Sequence, residues 1–302
     1  MERFTVHPSM RGIFMVLKIA RRRRRMAAAA VLGASLVTAA GLPDTAAASS
    51  DVTEYVALGD SVAAGIGAGS PTADSDNCWV DETETVRVPN STLAYPKRVS
   101  RALGARLNDQ AFCGANVRAT RAHQTRALTR TTDLVTVQVG ANDFGFSNVL
   151  VDCYLWNPPF TSRCNNNVNR IARKYTNTLP GRLDALYRTI KRKAPNAEVL
   201  VVGYPHLVQP RGTTFCLGDG DWVTSTHRAI VNAGNKLNET LAARAMVHGF
   251  KFVEARTAFR GREVCGDPEW INGVSSPRVH SFHPNSTGQE ALGWLVWKVL
   301  RP

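Results

Sequence analysis

The sequence predicts one α/β domain built on a parallel β-sheet with helices on both faces, preceded by a removable leader. Three observations carry this. After residue 50, short apolar runs alternate with longer helical patterns, the order expected of strands joined by crossover helices. The runs are rich in β-branched residues and bounded by turn residues, as in strands buried on both faces. Without residues 1–48 about 254 residues remain of the 302, a length that α/β folds use as one undivided core.

The elements follow in order. Tyr55–Leu58 reads as a short strand ending at Gly59, and Tyr95–Leu103 as a helix. A weaker strand spans Arg106–Phe112. Leu134–Val139, ended by Gly140, is a buried strand. Residues 165–193 are helical, with a break expected at Pro180-Gly181. Pro195-Asn196 turns into the buried strand Glu198–Val202. Asp221–His248 is a long helix stopped at Gly249, and Lys251–Ala255 a fifth strand. Ser286–Leu300 is the last helix, with Ser286 at the N-cap and Gln289 where a capping box would place it.

The leader, residues 1–48, reads as a secretory signal peptide. Arg21–Arg25 supply a positive region, residues 26–41 an apolar run, and Ala46-Ala47-Ala48 a small-residue cleavage site. That run of 16 residues is short of the ~20 that cross a bilayer, so cleavage near Ala48 is expected in place of a membrane anchor. The positive region is long, which leaves Met10, Met15 and Met26 as alternative starts. Loss of the leader also removes eight Lys/Arg against Glu2 and Asp44. The mature chain then carries 29 basic and 22 acidic residues, a net of +7 where the whole chain has +13. The remaining arginines are dispersed, and no basic stripe with interleaved aromatics marks a nucleic-acid surface. A secreted, monomeric protein without stable membrane insertion is expected.

All six cysteines (Cys78, Cys113, Cys153, Cys164, Cys216 and Cys265) lie after the leader. An even number in a secreted chain implies three disulfides, although fifteen pairings are open. No C-x-x-C pair suggests zinc.

Four short motifs sit where open α/β sheets bind ligands, just beyond the carboxyl ends of strands. Gly59-Asp60-Ser61 follows the first strand and can present a serine hydroxyl at the sheet edge. Cys113-Gly114-Ala115-Asn116 follows the second, and Gly114 would let a backbone N–H approach a ligand. Gly140-Ala141-Asn142-Asp143 follows the third; an Asn amide there can donate to a developing oxyanion. Ser281-Phe282-His283-Pro284-Asn285 precedes the last helix and offers an imidazole as general base. Each alone is equally an ordinary turn or a structural histidine. The nucleophile elbow G-x-S-x-G is missing around Ser61, which argues against an α/β-hydrolase fold.

Taken in order, Gly59-Asp60-Ser61, Gly114, Gly140-x-Asn142-Asp143 and His283 resemble the four blocks of the SGNH hydrolases, the GDSL esterase/lipase family, over roughly residues 54–298. Trp270-Ile271-Asn272-Gly273 and the Ser281–Asn285 ending are similar to its secreted actinobacterial branch. The resemblance implies a flavodoxin-like three-layer α/β/α sandwich with a five-stranded parallel sheet. It implies Ser61 as nucleophile and His283 as base. The Ser61 and Gly114 backbone N–H groups with the Asn142 amide would form the oxyanion hole, Asp143 supporting its loop. It also implies the pairings Cys78–Cys113, Cys153–Cys164 and Cys216–Cys265. One position departs: the family's orienting Asp is replaced by His280. The imidazole Nδ1–H must still be held, for which the Ser281 backbone carbonyl is expected, with Asp267 or Glu269 as the other candidates. His280 and His283 lack a third ligand, so neither metal nor cofactor is expected.

The expected activity is cleavage of carboxylic esters, on a small-molecule or lipid substrate, through an acyl-enzyme. Two alternatives are kept: an acetyl esterase acting on polysaccharide, and a non-catalytic binding module on the same scaffold. Trp79, Trp156, Phe144 and Phe146 are candidates either for an apolar acyl site or for packing.

Overall fold

The computed structural model describes residues 52–69, 91–151, 153, 161–209, 221–275 and 278–301. The leader, Cys78, Cys216, Trp79 and Trp156 lie outside the described residues. Five strands form one all-parallel sheet: β1 (Glu54–Gly59), β2 (Arg106–Asp109), β3 (Leu134–Gln138), β4 (Glu198–Val202) and β5 (Lys251–Val253). Their spatial order is β2-β1-β3-β4-β5. The chain moves to one side of β1 and then returns to the other, so the order reverses between β1 and β3. At such a switch point the loops leaving two neighbouring strands diverge and open a crevice.

The helices are α1 (Tyr95–Leu103), α2 (Val117–Ala122), α3 (Phe146–Val151), α4 (Thr161–Asn177), α5 (Leu179–Lys193), α6 (Asp221–Val247) and α7 (Ser286–Leu300). One layer pairs α1 with α7. In the other, α4 packs on α6, and α5 on α2 and α6. The result is a three-layer α/β/α sandwich. The three inner strands are buried almost throughout, while edge strand β2 alternates between exposed and half-buried residues. Covered strands need apolar residues on both faces, which explains why β1, β3 and β4 read so clearly. Fully buried Tyr175, Leu179, Leu183, Leu186, Tyr187 and Ile190 show the inward stripe of the α4–α5 layer.

Several bounds and one cap differ from expectation; β5 ends at Val253, two residues early, and α4 begins at Thr161. Regular pairing of β2 ends at Asp109, although Gln110 and Phe112 still donate backbone hydrogen bonds to Ala57 and Gly59. The α4–α5 break falls before Pro180, which sits in the first turn of α5, where its missing N–H costs no helical bond. The capping box is absent. Asn285 is the N-cap of α7, accepting from Gly288 N–H at 3.0 Å, and Gln289 is used elsewhere.

Cys153 and Cys164 form a disulfide between residues flanking the start of α4. Cys113 and Cys265 are each disulfide-bonded as well.

Candidate active site

The nucleophile candidate stands on a turn that three buried side chains fix. β1 ends at Gly59, where a Cβ would lie 2.6 Å from Ala63 Cβ and 2.7 Å from the Gln138 carbonyl oxygen. Close approach, not an unusual φ, demands glycine there. Gln124 Nε2 donates to the Gly59 carbonyl and its Oε1 accepts from Gly59 N–H, both at 2.8 Å. Beyond Ser61, Gln289 Nε2 donates to the Val62 carbonyl at 2.8 Å, while its Oε1 accepts from Tyr95 N–H at 2.9 Å. Asp60 turns inward: its Oδ1 accepts from Val62 N–H at 3.0 Å, and its Oδ2 accepts the Tyr204 hydroxyl at 2.5 Å. Burial pushes the Asp60 carboxyl up to about 7 against these bonds, and the nearby Asp143 charge adds to the rise.

The base candidate arrives from the other end of the chain. His283 Nε2 lies 2.7 Å from Ser61 Oγ. Its Nδ1 lies 2.9 Å from the Ser281 carbonyl oxygen. A carbonyl only accepts, so Nδ1 carries the proton and Nε2 is left to accept from the serine. Phe282 between them adopts φ 61°, a left-handed conformation rare for a bulky residue. That conformation curls the Ser281 carbonyl back under the ring two residues ahead. Glu269, one of the alternative orienting groups, accepts from Cys265 N–H at 2.8 Å, and Asp267 is exposed. Neither carboxylate is what holds Nδ1.

A short antiparallel pairing anchors this loop. Ile271 bridges Pro284, Asn272 N–H donates to the His283 carbonyl, and Phe282 N–H donates to the Asn272 carbonyl, the last two at 2.9 Å. The Asn272 amide also donates to the Gly67 carbonyl at 2.9 Å, tying the histidine loop to the serine loop. The Trp270–Gly273 segment therefore has a positional task.

With no carboxylate beside it, His283 is governed by desolvation. Burial lowers its pKa to about 4, the Ser281 carbonyl opposes this slightly, and His280 pushes further down. The ring is neutral at ordinary pH.

The donor side comes from the loops after β2 and β3. Gly114 has φ 77° and Gly140 φ 133°, both left-handed values that favour glycine. Asn142 Nδ2 donates to the Ala115 carbonyl at 3.1 Å and Asn142 Oδ1 accepts from Ser147 Oγ at 3.0 Å. The amide plane is thus set, with one N–H unused by the protein. Asp143 Oδ2 accepts from Val117 N–H, and Oδ1 pairs with Arg182, each at 2.9 Å. Burial raises the Asp143 pKa while these two bonds oppose it. Its bonds join the third motif to α2 and α5.

Ser61, Gly114, Asn142 and His283 all line one cavity of about 560 Å³. Its other walls are largely apolar, with Phe146 and Leu150 of α3, Ile230 and Leu237 of α6, and Val279. Phe144, named with Phe146 as an acyl-site candidate, is absent from this lining. It packs on Tyr175 at 5.7 Å between ring centroids, with the Arg182 guanidinium 4.9 Å from its own. Among the described residues no group of three or more His, Cys, Asp or Glu is placed to hold a metal ion, and no helix is long and apolar enough to cross a membrane.

Sequence reasoning named the four chemical groups but missed Gln124 and Tyr204, gave Gln289 to a helix cap, and gave Asn272 no task, although these four brace the serine and histidine loops. Asn272 alone carried a signal, standing in a segment already singled out.

The sequence matches the GDSL-like Lipase/Acylhydrolase family over residues 57–291. Lipase 1 of Streptomyces coelicolor is 36% identical over 270 residues, covering 86% of this chain and 93% of that protein. Among solved structures, phospholipase A1 from Streptomyces albidoflavus NA297 superposes with a TM-score of 0.72 at 31% identity, covering 83% of this chain and 100% of that one. An extracellular lipase from Streptomyces rimosus does so with a TM-score of 0.72 at 33% identity, covering 82% and 99%. A match spanning nearly the whole sheet and all four motifs leads to one conclusion: the chain is an ester hydrolase and belongs to the GDSL-like lipase/acylhydrolase family.

Proposed function

We propose that this hydrolase cleaves fatty acyl esters with a Ser61–His283 dyad through an acyl-enzyme. The observation that carries the reading is the pair of contacts at His283, 2.7 Å to Ser61 Oγ and 2.9 Å to the Ser281 carbonyl. His283 Nε2 takes the Ser61 proton as Oγ bonds to the ester carbonyl carbon. The resulting oxyanion is held by the Ser61 and Gly114 N–H groups and the free N–H of Asn142. As the C–O bond breaks, His283 returns the proton to the departing alkoxide. Water, deprotonated by the same nitrogen, then attacks the acyl-Ser61 ester; collapse frees the acid and restores Ser61. A mostly apolar cavity of about 560 Å³ exceeds what an acetyl group needs and favours the fatty acyl reading over polysaccharide deacetylation.

The protein is further proposed to act outside the cell as a monomer, after cleavage near Ala48 and with Cys78–Cys113 and Cys216–Cys265 completing its disulfides. A fluorophosphonate probe tests the chemistry. Purified from culture medium, the protein is expected to carry one adduct, on Ser61, lost in Ser61→Ala. Unlabelled, folded protein would instead favour a binding module. The same sample, digested without reduction, reports the N-terminus and the cysteine pairs.

The acid limb of the pH profile gives a second test. His283 must be neutral to accept the serine proton. With its pKa lowered to about 4 by burial, kcat/KM should rise through an inflection near pH 4 and not near the ordinary ~6.5 of histidine. Asp60, at about 7, could add its own inflection, so the profile is measured in Asp60→Asn as well. A limb centred near 6.5 in both proteins would remove burial as the governing influence on the base.

A further inference from the structure

The cavity wall made by α6 has a gap in it. Ile230, Gly234 and Leu237 all line the cavity, and their spacing of four and three residues puts them on one helical face. Where the stripe should carry a middle side chain it carries none. Most glycines in this fold have a visible reason. At Gly59, Gly203 and Gly288 a Cβ would come within 2.4–2.7 Å of neighbouring atoms, and Gly114 and Gly140 hold positive φ. Gly234 has neither excuse. It lies inside α6, and a Cβ there would meet only the His206 ring, at an ordinary 3.9 Å. Glycine within a helix weakens it relative to alanine. What the missing side chain supplies is space inside the cavity.

We propose that Gly234 sets the length of acyl chain the enzyme accepts, the distal methylenes of a medium- to long-chain fatty acyl group lying across the bare stretch of α6 between Ile230 and Leu237. This rests on the reading of Ser61 as nucleophile, since the acyl carbon must start at Ser61 Oγ for the chain to run along that wall. The occupant must be apolar. The walls on either side are aliphatic, and Phe146 and Leu150 of α3 line the same cavity. His206, beside the gap, turns a ring carbon, Cδ2, toward it, and its Nε2 is engaged with Asn235 Oδ1 at 2.8 Å.

The test is a chain-length profile of kcat/KM on p-nitrophenyl esters from acetate to palmitate. In the wild type each methylene that finds the gap should raise kcat/KM by about fourfold. Gly234→Leu, which fills it, should cut the palmitate-to-butyrate ratio by about 15- to 60-fold, the worth of two or three lost methylene contacts, and move the optimum to shorter acids. Gly234→Ala, which also favours the helix, should shift the profile the same way by a smaller factor and decides the matter if the leucine variant does not fold. Gly181→Ala, in α5 with no atom within 4 Å of the new Cβ, controls for helix stiffening and should leave the profile as it was. An unchanged profile in folded Gly234→Leu, or in Gly234→Ala where the leucine variant is unfolded, overturns the proposal. Failure of the underlying reading looks different: wild-type protein would then neither hydrolyse any ester nor take up fluorophosphonate at Ser61.

Discussion

Replacing His283 by alanine is expected to lower kcat by about a millionfold, the loss seen when a serine hydrolase is deprived of either member of its proton-transfer pair. The geometry explains the size. Ser61 Oγ has its proton acceptor at 2.7 Å, and the site's buried carboxyl next in sequence, Asp60, is turned inward onto Tyr204 and Val62 N–H. Among the described residues no second side chain is hydrogen-bonded to the hydroxyl. The residual rate should remain above that in water, because the proposed oxyanion donors and the cavity survive. Burst titration of the variant, with circular dichroism to establish that it folds, measures this. A loss below about a hundredfold would mean that another group takes the proton.

Asn142→Ala should reduce kcat by about 100- to 1,000-fold with little change in KM. One N–H of the amide is fixed on the Ala115 carbonyl, and the amide oxygen receives the Ser147 hydroxyl. The other N–H is therefore oriented before any ester arrives. Its partner is fully charged only when the carbonyl carbon is tetrahedral, so the interaction belongs to the transition state and not to ground-state binding. Steady-state kinetics on one ester separates the two. A raised KM with kcat preserved would show that Asn142 binds substrate and transition state alike.

The residues proposed to react were legible in the sequence because they sit in turns, three just past strands and His283 just before α7, where Gly, Ser, Asn and His stand out against apolar runs. β1, β3 and β4 were legible for the same reason, and the bounds of α1 and α7 agree with the structure. The supports were not. Gln124 reaches Gly59 across 65 residues, Tyr204 reaches Asp60 across 144, and Gln289 reaches Val62 across 227. Nothing local distinguishes a glutamine that caps its own helix from one that crosses the core. Gln289 satisfied the capping-box spacing, yet Asn285 took the cap, since its Oδ1 already reaches Gly288 N–H. Edge strands were overextended because their alternating exposure leaves few apolar positions with which to mark an end. The carbonyl beside His283 was implied by the resemblance to the secreted branch of the family, but the positive φ at Phe282 that aims it is written in no residue type.

The reach of α7 back to the first strand has a consequence for how the enzyme is made. Gln289 clasps both the segment after Ser61 and the start of α1, and the base stands six positions before it. A polypeptide emerging from its N-terminus thus displays Ser61 more than two hundred residues before its proposed base exists. Under the proposed mechanism every shorter intermediate lacks the base and has at most the residual rate expected of His283→Ala. Full activity under that mechanism therefore needs α7 in place, its Gln289 joining the two ends of the domain.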